Sequence, residues 1–321
     1  MALAWVHVVA VAAWVPRYGF LAAEPLRLAL GATGIFTALL LAALAIRSLL
    51  GRLQLTGWRP RKDAVLDALY AGFLMGAVVT DYTWVKLLIP ALNGRLWDVQ
   101  FGALDRILCF GLDPNIFVLA ILEGNHRWVG FGLDAVYNLW LHLGLLGCLV
   151  AMTAADARLR RGAAVSLAVL WLAGAWIYVA LPAMGPALVD LDLWTQVRIV
   201  MPNSAGAERE LLRNYLAVKS ILAGTPLGID PSYGVAAMPS LHVGVDVLLA
   251  LWARHQARWW AWVWWILAGV TAIGAVATGW HYLVDVLAGV VLAGACWWAG
   301  VVVYERHGPR DPEIDTAAPA V

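Results

Sequence analysis

The sequence predicts an all-α fold, a polytopic integral membrane bundle of about eight transmembrane helices. Of the 321 residues, 62% are hydrophobic and only 13% are charged, whereas soluble domains carry about 25% charged residues. The mean hydropathy of +0.76 agrees with this class, and several apolar segments reach the length of about 20 residues that crosses a bilayer. The net charge of +1, without a basic tract, gives no indication of a nucleic-acid partner.

The apolar segments and their charged boundaries divide the chain into three parts. Residues 1–62 are expected to form N-terminal membrane helices, residues 63–303 a catalytic membrane domain, and residues 304–321 a disordered cytoplasmic tail. The first apolar run is interrupted at Pro16, so residues 1–22 form either a first span or an interfacial helix. The remaining spans are predicted at 28–50, 64–90, 131–153, 163–181, 237–253, 259–279 and 282–303.

Two stretches are expected to lie outside the spans. Residues 91–130 contain turn signals and leave room for a short amphipathic helix on the membrane, with Leu104, Ile107 and Leu108 on its apolar face. Residues 182–236 are predicted to form a second long loop, because five prolines interrupt it. Its basic residues are solvated charges or neutralise a phosphate; they are Arg198, Arg209, Arg213 and Lys219.

The basic residues also indicate the orientation of the bundle. The short connections at 47–62, 156–161 and 254–258 carry arginines and all fall at one end of the predicted helices. The positive-inside rule places that end in the cytoplasm. The opposite helix ends are therefore expected to face the extracytoplasmic or lumenal side.

Two polar stretches at these opposite ends are the candidates for chemistry. In residues 281–285, His-Tyr-Leu-Val-Asp, the histidine and the aspartate lie four residues apart, hence on one face of a helix. The carboxylate of Asp285 can accept the ring N–H of His281, which fixes the tautomer and leaves the other ring nitrogen as a nucleophile.

The other stretch, residues 238–242, reads Met-Pro-Ser-Leu-His and begins an apolar helix. His242 therefore lies in or near a first turn, where the helix terminus favours a phosphate anion. Two histidines suit phosphoryl transfer, because one can attack phosphorus while the other protonates the leaving oxygen. We predict His242, His281 and Asp285 as the catalytic residues, without a metal or a cofactor.

Several neighbouring polar residues have two interpretations each. Ser240 can donate to the phosphate or cap the helix. Asp246 lies four residues after His242 and can tune that histidine or satisfy a buried polar group. Three more can share one helix face, where they either line the substrate pocket or form a hydrogen bond between helices: Asp134, Tyr137 and His142.

Both motifs resemble those of the type 2 phosphatidic acid phosphatase (PAP2) superfamily. Residues 239–242 are similar to its Pro-Ser-x-His motif. Residues 279–289 are similar to its last motif, Gly-x-His-x-x-x-Asp followed by small and apolar residues. The resemblance covers roughly residues 91–300 and implies a six-helix PAP2-like core.

The variants Ser-Leu-His and His-Tyr-x-x-Asp look most like the inositol phosphorylceramide synthase branch of that superfamily. Residues 181–186, Leu-Pro-Ala-Met-Gly-Pro, also resemble this branch, which makes Gly185 a predicted substrate-binding residue. Residues 105–114 and 134–142 resemble it more weakly. The resemblance implies an inositol phospholipid donor and a lipid alcohol acceptor such as ceramide.

The chain departs from the phosphatases of the superfamily in its cations. They carry Ser-Arg six to seven residues before the last-motif histidine, where this chain has Gly274 and Ala275. Their first motif, Lys-x6-Arg-Pro, is mimicked only by residues 52–60, far from the other motifs. A phosphomonoester is nearly a dianion that suits arginine forks, whereas a phosphodiester carries one charge. The absence of these arginines therefore favours a diester donor and a transferase.

The predicted reaction has two displacements. His281, supported by Asp285, attacks phosphorus of a phospholipid donor while His242 protonates the departing oxygen. A lipid hydroxyl then takes the group from phospho-His281. One alternative is a lipid phosphate or polyprenyl pyrophosphate phosphatase that uses water. The other is a transporter or metal-binding membrane protein with the same three side chains as ligands, although they lack a familiar ligand spacing.

Overall fold

The computed structural model describes residues 1–53, 62–123, 127–225, 228–230 and 234–306. Every regular element among them is a helix, which confirms the predicted all-α class. In chain order they are α1 (Ala2–Trp14, continued by a 3₁₀ turn, Val15–Tyr18), α2 (Ala23–Arg52), α3 (Lys62–Leu87), α4 (Ile89–Leu92), α5 (Asp98–Leu108), α6 (Pro114–Glu123), α7 (Arg127–Met152), α8 (Ala157–Ala180), α9 (Pro186–Val189), α10 (Leu191–Val200), α11 (Pro202–Leu222), α12 (Leu241–Ala253), α13 (Arg258–Ala277) and α14 (Leu283–Arg306).

Six of these helices, namely α2, α3, α7, α8, α13 and α14, are long and apolar enough to cross a membrane. The two other predicted spans are shorter apolar helices, Ala2–Tyr18 and Leu241–Ala253. α12 begins only after Pro239, because proline lacks an N–H and biases the preceding residue away from the helix. The chain is therefore a polytopic helical membrane protein. Most of the predicted tail, residues 307–321, lies outside the described residues.

Arg160 is the centre of an ion-pair network at the basic end of the bundle. Only 2% of this residue is exposed, and its guanidinium donates to Asp67 on α3 at 2.6 and 3.1 Å. It also donates to Asp63 at 3.2 Å and to the carbonyl groups of Ala154 and Ala155 at 2.9 Å. One side chain thereby joins the start of α3, the turn between α7 and α8, and the start of α8.

The connections predicted from their basic residues do share this end. Arg47, in the last two turns of α2, donates to the carbonyl group of Val150 near the end of α7 at 3.0 Å. Trp252, near the end of α12, donates to Ser166 on α8 at 2.7 Å. The starts of α12 and α14 therefore lie at the opposite end.

At that opposite end, α5, α6 and α9 to α11 cover the ends of the long helices. The prediction of one long loop over 182–236 is wrong for most of its length, because α10 and the 21-residue α11 lie within it. Pro202 is compatible with a helix at its first position. Asp134 on α7 then accepts the N–H groups of Asn203 and Ser204 at 2.9 and 3.0 Å, which caps α11 from another helix.

The amphipathic helix predicted within 91–130 is α5. Its exposed face carries Leu104, Ile107 and Leu108, as expected. Its buried face carries two carboxylates and one ring, from Asp98, Phe101 and Asp105. This face points toward the starts of α9 and α14, so α5 joins the surface of the bundle to the motifs.

Replacing Arg160 by methionine is expected to destabilise the protein by about 3–5 kcal/mol, because Asp67 then remains as a buried charge with reduced compensation. The measurement is denaturant unfolding in detergent, followed by tryptophan fluorescence. The control is Arg213→Met, which removes an exposed side chain paired with Glu210 and should cost about 0–1 kcal/mol. Equal losses in the two variants would contradict the central position of Arg160.

Candidate active site

The starts of α12 and α14 meet at a direct backbone contact. The N–H of Ser240 donates to the carbonyl group of Asp285 at 2.9 Å. A Cβ atom at Gly289, one turn further along α14, would overlap the carbonyl oxygen of Ser240. Glycine at this position therefore lets the two helices approach until their backbones touch. The two motifs, 39 residues apart in the sequence, become neighbours.

His242 and His281 face each other across this contact. The Nε2 atom of His281 lies 3.4 Å from the Nδ1 atom of His242, and the ring centroids are 5.7 Å apart. The other nitrogen of His281, Nδ1, lies 2.8 Å from the carbonyl oxygen of Ala237. A carbonyl can only accept, so Nδ1 carries the proton and donates, which leaves the Nε2 lone pair directed toward His242.

Asp285 is buried behind His281 but does not hold its ring N–H as predicted. Its Oδ2 atom lies 3.7 Å from the Nδ1 atom of His281 and accepts the N–H of Tyr282 at 2.8 Å. The Ala237 carbonyl takes the direct hydrogen bond instead. Asp285 can still stabilise positive charge on His281 through space, because it is fully buried in a medium of low dielectric constant.

Aromatic rings surround His242. The ring centroid of Trp140 lies 4.4 Å away, that of Tyr137 5.3 Å and that of Trp280 6.0 Å. Asp246 accepts the indole N–H of Trp140 at 3.0 Å and a hydroxyl from α13 at 2.6 Å. Of the two interpretations of Asp246, the structure therefore favours the buried polar group, which orients Trp140 against His242.

Two carboxylates on the buried face of α5 hold the loops around the site. Asp105 accepts the N–H groups of Leu283 and Val284 at 2.7 and 2.8 Å, which caps α14 directly after His281. Burial raises the pKa of Asp105 to about 6, although these two N–H groups act in the opposite direction. Asp98 accepts the N–H of Gly185 at 2.9 Å.

Asp98 also accepts hydrogen bonds from the residue before Gly185 and from the residue after His281. It accepts the N–H of Met184 at 3.0 Å and the hydroxyl of Tyr282 at 3.1 Å. Sequence reasoning did not single out Asp98, and it placed Asp105 only within a weak resemblance. The signal was present, since two aspartates seven residues apart lie on one face of an amphipathic helix.

A cavity of about 250 Å³ opens beside the two histidines. Its wall includes His242, His281 and Trp280. The described lining residues also include one lysine, Lys86 from α3, and one carboxylic acid, Glu208 from α11. Glu208 is fully buried, and neither of its carboxyl oxygens has a hydrogen-bond partner among the described residues. Burial raises the pKa of Glu208 to about 9, so the group is a neutral carboxylic acid at neutral pH.

The five predicted substrate-binding residues have different positions. Ser240 is buried at the start of α12, but its hydroxyl makes no capping hydrogen bond. Tyr137 packs on His242, and Gly185 lies against the turn that precedes His281, where a Cβ atom would overlap the carbonyl oxygen of Trp280. Gly185 has a φ of +97°, a backbone conformation that favours glycine.

None of the five predicted substrate-binding residues is among the described residues that line the cavity. Asp134 is fully buried and caps α11, so it positions the helix that carries Glu208. His142 is exposed on α7 and is separate from the site. The four basic residues of the 182–236 region do not line the cavity either. Sequence spacing placed Asp134 and His142 on α7, but it could not show which way each side chain faces in the assembled bundle.

Gly274 and Ala275, which stand at the positions expected for Ser-Arg, lie inside the packed bundle. Gly274 is packed against the ring of Tyr137, and Ala275 is fully buried. Neither position therefore contributes a cation to the site.

Comparison with known proteins gives one match. A family model described as PAP2 superfamily matches residues 100–299, which is well over half of the chain. No curated protein and no solved structure gives a significant match. The matched residues include both histidine motifs and α5 from its third residue onward.

Removing the carboxylate of Asp105 is expected to lower turnover by about a hundredfold, because a shift of about 1 Å in reacting groups has that effect. Asp105→Ala leaves the N–H groups of Leu283 and Val284 without their acceptor, directly after His281. The measurement is the steady-state turnover of a phosphorus-containing lipid in mixed micelles. Asp190→Ala, which removes the cap of α10, is the control and should retain activity; equal loss in both would refute the positioning role.

The buried Glu208 should make stability depend on pH. The pKa of Glu208 is about 9 in the folded chain, whereas the ordinary value for a glutamate side chain is 4.5. Ionisation of Glu208 therefore opposes folding, and the stability of the folded chain falls as pH rises from 4.5 to about 9. We expect Glu208→Gln to gain stability over wild type by up to about 1.4 kcal/mol for each pH unit between those values. Unfolding in detergent at several pH values measures this difference. Glu210→Gln, at an exposed site on the same helix, should give a constant difference.

Proposed function

Because this chain belongs to the PAP2 superfamily, we propose that it transfers a phospho-alcohol headgroup from a phospholipid to the hydroxyl group of a second lipid. The observation that carries the proposal is the pair of imidazoles, with nitrogens 3.4 Å apart, at the wall of one cavity. One phosphate can contact both rings there. By the resemblance of its motifs to the inositol phosphorylceramide synthase branch, the headgroup is phosphoinositol and the acceptor a ceramide-like alcohol.

In the first step, the Nε2 lone pair of His281 attacks the phosphorus atom of the donor. The P–N bond forms as the bond from phosphorus to the diacylglycerol oxygen breaks, and His242, which starts as the imidazolium, gives that oxygen one proton and becomes neutral. The Ala237 carbonyl holds the Nδ1 proton of His281, and the carboxylate of Asp285 stabilises the positive charge that develops on the ring.

In the second step, the acceptor hydroxyl attacks the same phosphorus atom. His242, now neutral, takes the proton of that hydroxyl as the new P–O bond forms and the P–N bond to His281 breaks. Both histidines return to their starting states. Dividing one displacement into two easier ones is the benefit of a covalent intermediate.

The charge of the cavity supports a diester donor. A phosphodiester carries one negative charge, whereas a phosphomonoester is nearly a dianion and suits several arginines. Lys86 is the one lysine or arginine among the described residues that line the cavity. This supports transfer over monoester hydrolysis. By the positive-inside rule, the cavity faces the extracytoplasmic or lumenal side, opposite the arginines around Arg160.

The covalent intermediate can be trapped directly. We expect wild-type protein, incubated with a donor labelled at phosphorus and quenched with base, to retain a label that acid removes, as phosphohistidine does. His281→Asn should retain no label and should lose activity by at least about a thousandfold, the loss typical of an absent nucleophile. His142→Asn is the matched control, an exposed histidine outside the site, and should be labelled like wild type. Label that persists in His281→Asn would refute the mechanism.

The acceptor distinguishes transfer from hydrolysis, the second reaction that PAP2 membership covers. We expect labelled donor and added lipid alcohol to give a labelled lipid product, with little free headgroup phosphate. Mass spectrometry of the products, with and without the acceptor, measures the ratio. Release of the free headgroup phosphate at the same rate in both reactions would identify a hydrolase instead.

A further inference from the structure

Lys86, one residue before the end of α3, extends into the cavity that His242 and His281 line. Its Nζ atom donates to the hydroxyl of Tyr82 at 3.2 Å. It also lies 5.4 and 5.7 Å from the ring centroids of Tyr82 and Tyr178. Aromatic faces attract an ammonium group, so this side chain is held inside the cavity rather than directed to solvent.

Lys86 has no fixed counter-ion within the part of the chain that the structure describes. Among the described residues, no carboxylate lies within ion-pair distance of its Nζ atom. The one carboxyl group among the described lining residues is that of Glu208, which is neutral at neutral pH because burial raises its pKa to about 9. A cation left uncompensated in a partly enclosed site attracts an anion.

The backbone also makes room for this side chain. A Cβ atom at Gly234, in the stretch that leads to α12, would overlap the Lys86 side chain. Lys86 also lies beside the ring of Tyr178 on α8. A cation from α3 is therefore held between α8 and the stretch that leads to α12.

We propose that Lys86 is the phosphate-binding residue of this cavity, and that its ammonium group binds the non-bridging oxygens of the phosphate while His281 attacks phosphorus. The proposal rests on the phosphotransfer proposed for the same site and adds the group that holds the charge of the substrate. It also distinguishes Lys86 from the four loop cations, which the sequence left as equal candidates and which lie outside the cavity lining.

Vanadate is the probe, because it is a phosphate analogue whose binding is measured without turnover. We expect isothermal titration calorimetry of the full chain in detergent to show vanadate binding about tenfold to a hundredfold weaker in Lys86→Gln, the effect of losing one charged hydrogen bond. Lys86→Arg keeps the charge and should bind within a few-fold of wild type. The melting temperature of each variant confirms that it is folded.

Lys219→Gln is the matched control. Its ammonium group also lies 5.7 Å from a tyrosine ring, that of Tyr215, but it is exposed and outside the cavity, so vanadate affinity should not change. Unchanged affinity in Lys86→Gln, or an equal loss in Lys219→Gln, would overturn the proposal. A wild-type chain that binds vanadate but only hydrolyses its donor would refute the transferase alone.

Discussion

The site depends on one backbone hydrogen bond, from the N–H of Ser240 to the carbonyl group of Asp285. This hydrogen bond joins Ser240, the residue immediately before α12, to the first turn of α14. It forms only because Gly289 presents no side chain to Ser240. The distance between His242 and His281 follows from it. A contact between main-chain atoms sets this distance more rigidly than a contact between flexible side chains, because it leaves no rotamers to choose.

The remaining polar groups near the site act as supports for that contact. Asp105 and Asp98 on α5 hold the loops on either side of His281, and Asn115 on α6 donates to the carbonyl group of His281 itself at 3.1 Å. Each support comes from a helix that lies outside the six full-length spans. The surface helices thus hold the backbone around the site in place, while the long helices form the bundle in which the site lies.

The sequence predicted the spans and both histidine motifs, because these depend on local quantities, namely apolar length and residue spacing. The partner of the His281 ring could not be predicted, since Ala237 contributes only a carbonyl group and its side chain carries no signal. The position of Lys86 in the cavity wall could not be predicted either, because this residue lies in an apolar helix far from both motifs in the chain. Asp134 was assigned to the correct helix, but its long-range contact with α11 decided its role.

The size of the cavity has a consequence for substrate selection. Its volume of about 250 Å³ is below the range of about 300–1,000 Å³ typical of sites that enclose a drug-sized ligand. For the phospholipid donor proposed above, a polar headgroup fits such a space, whereas two fatty acyl tails do not. Under that proposal, discrimination between lipids falls on the headgroup rather than on the length or unsaturation of the tails.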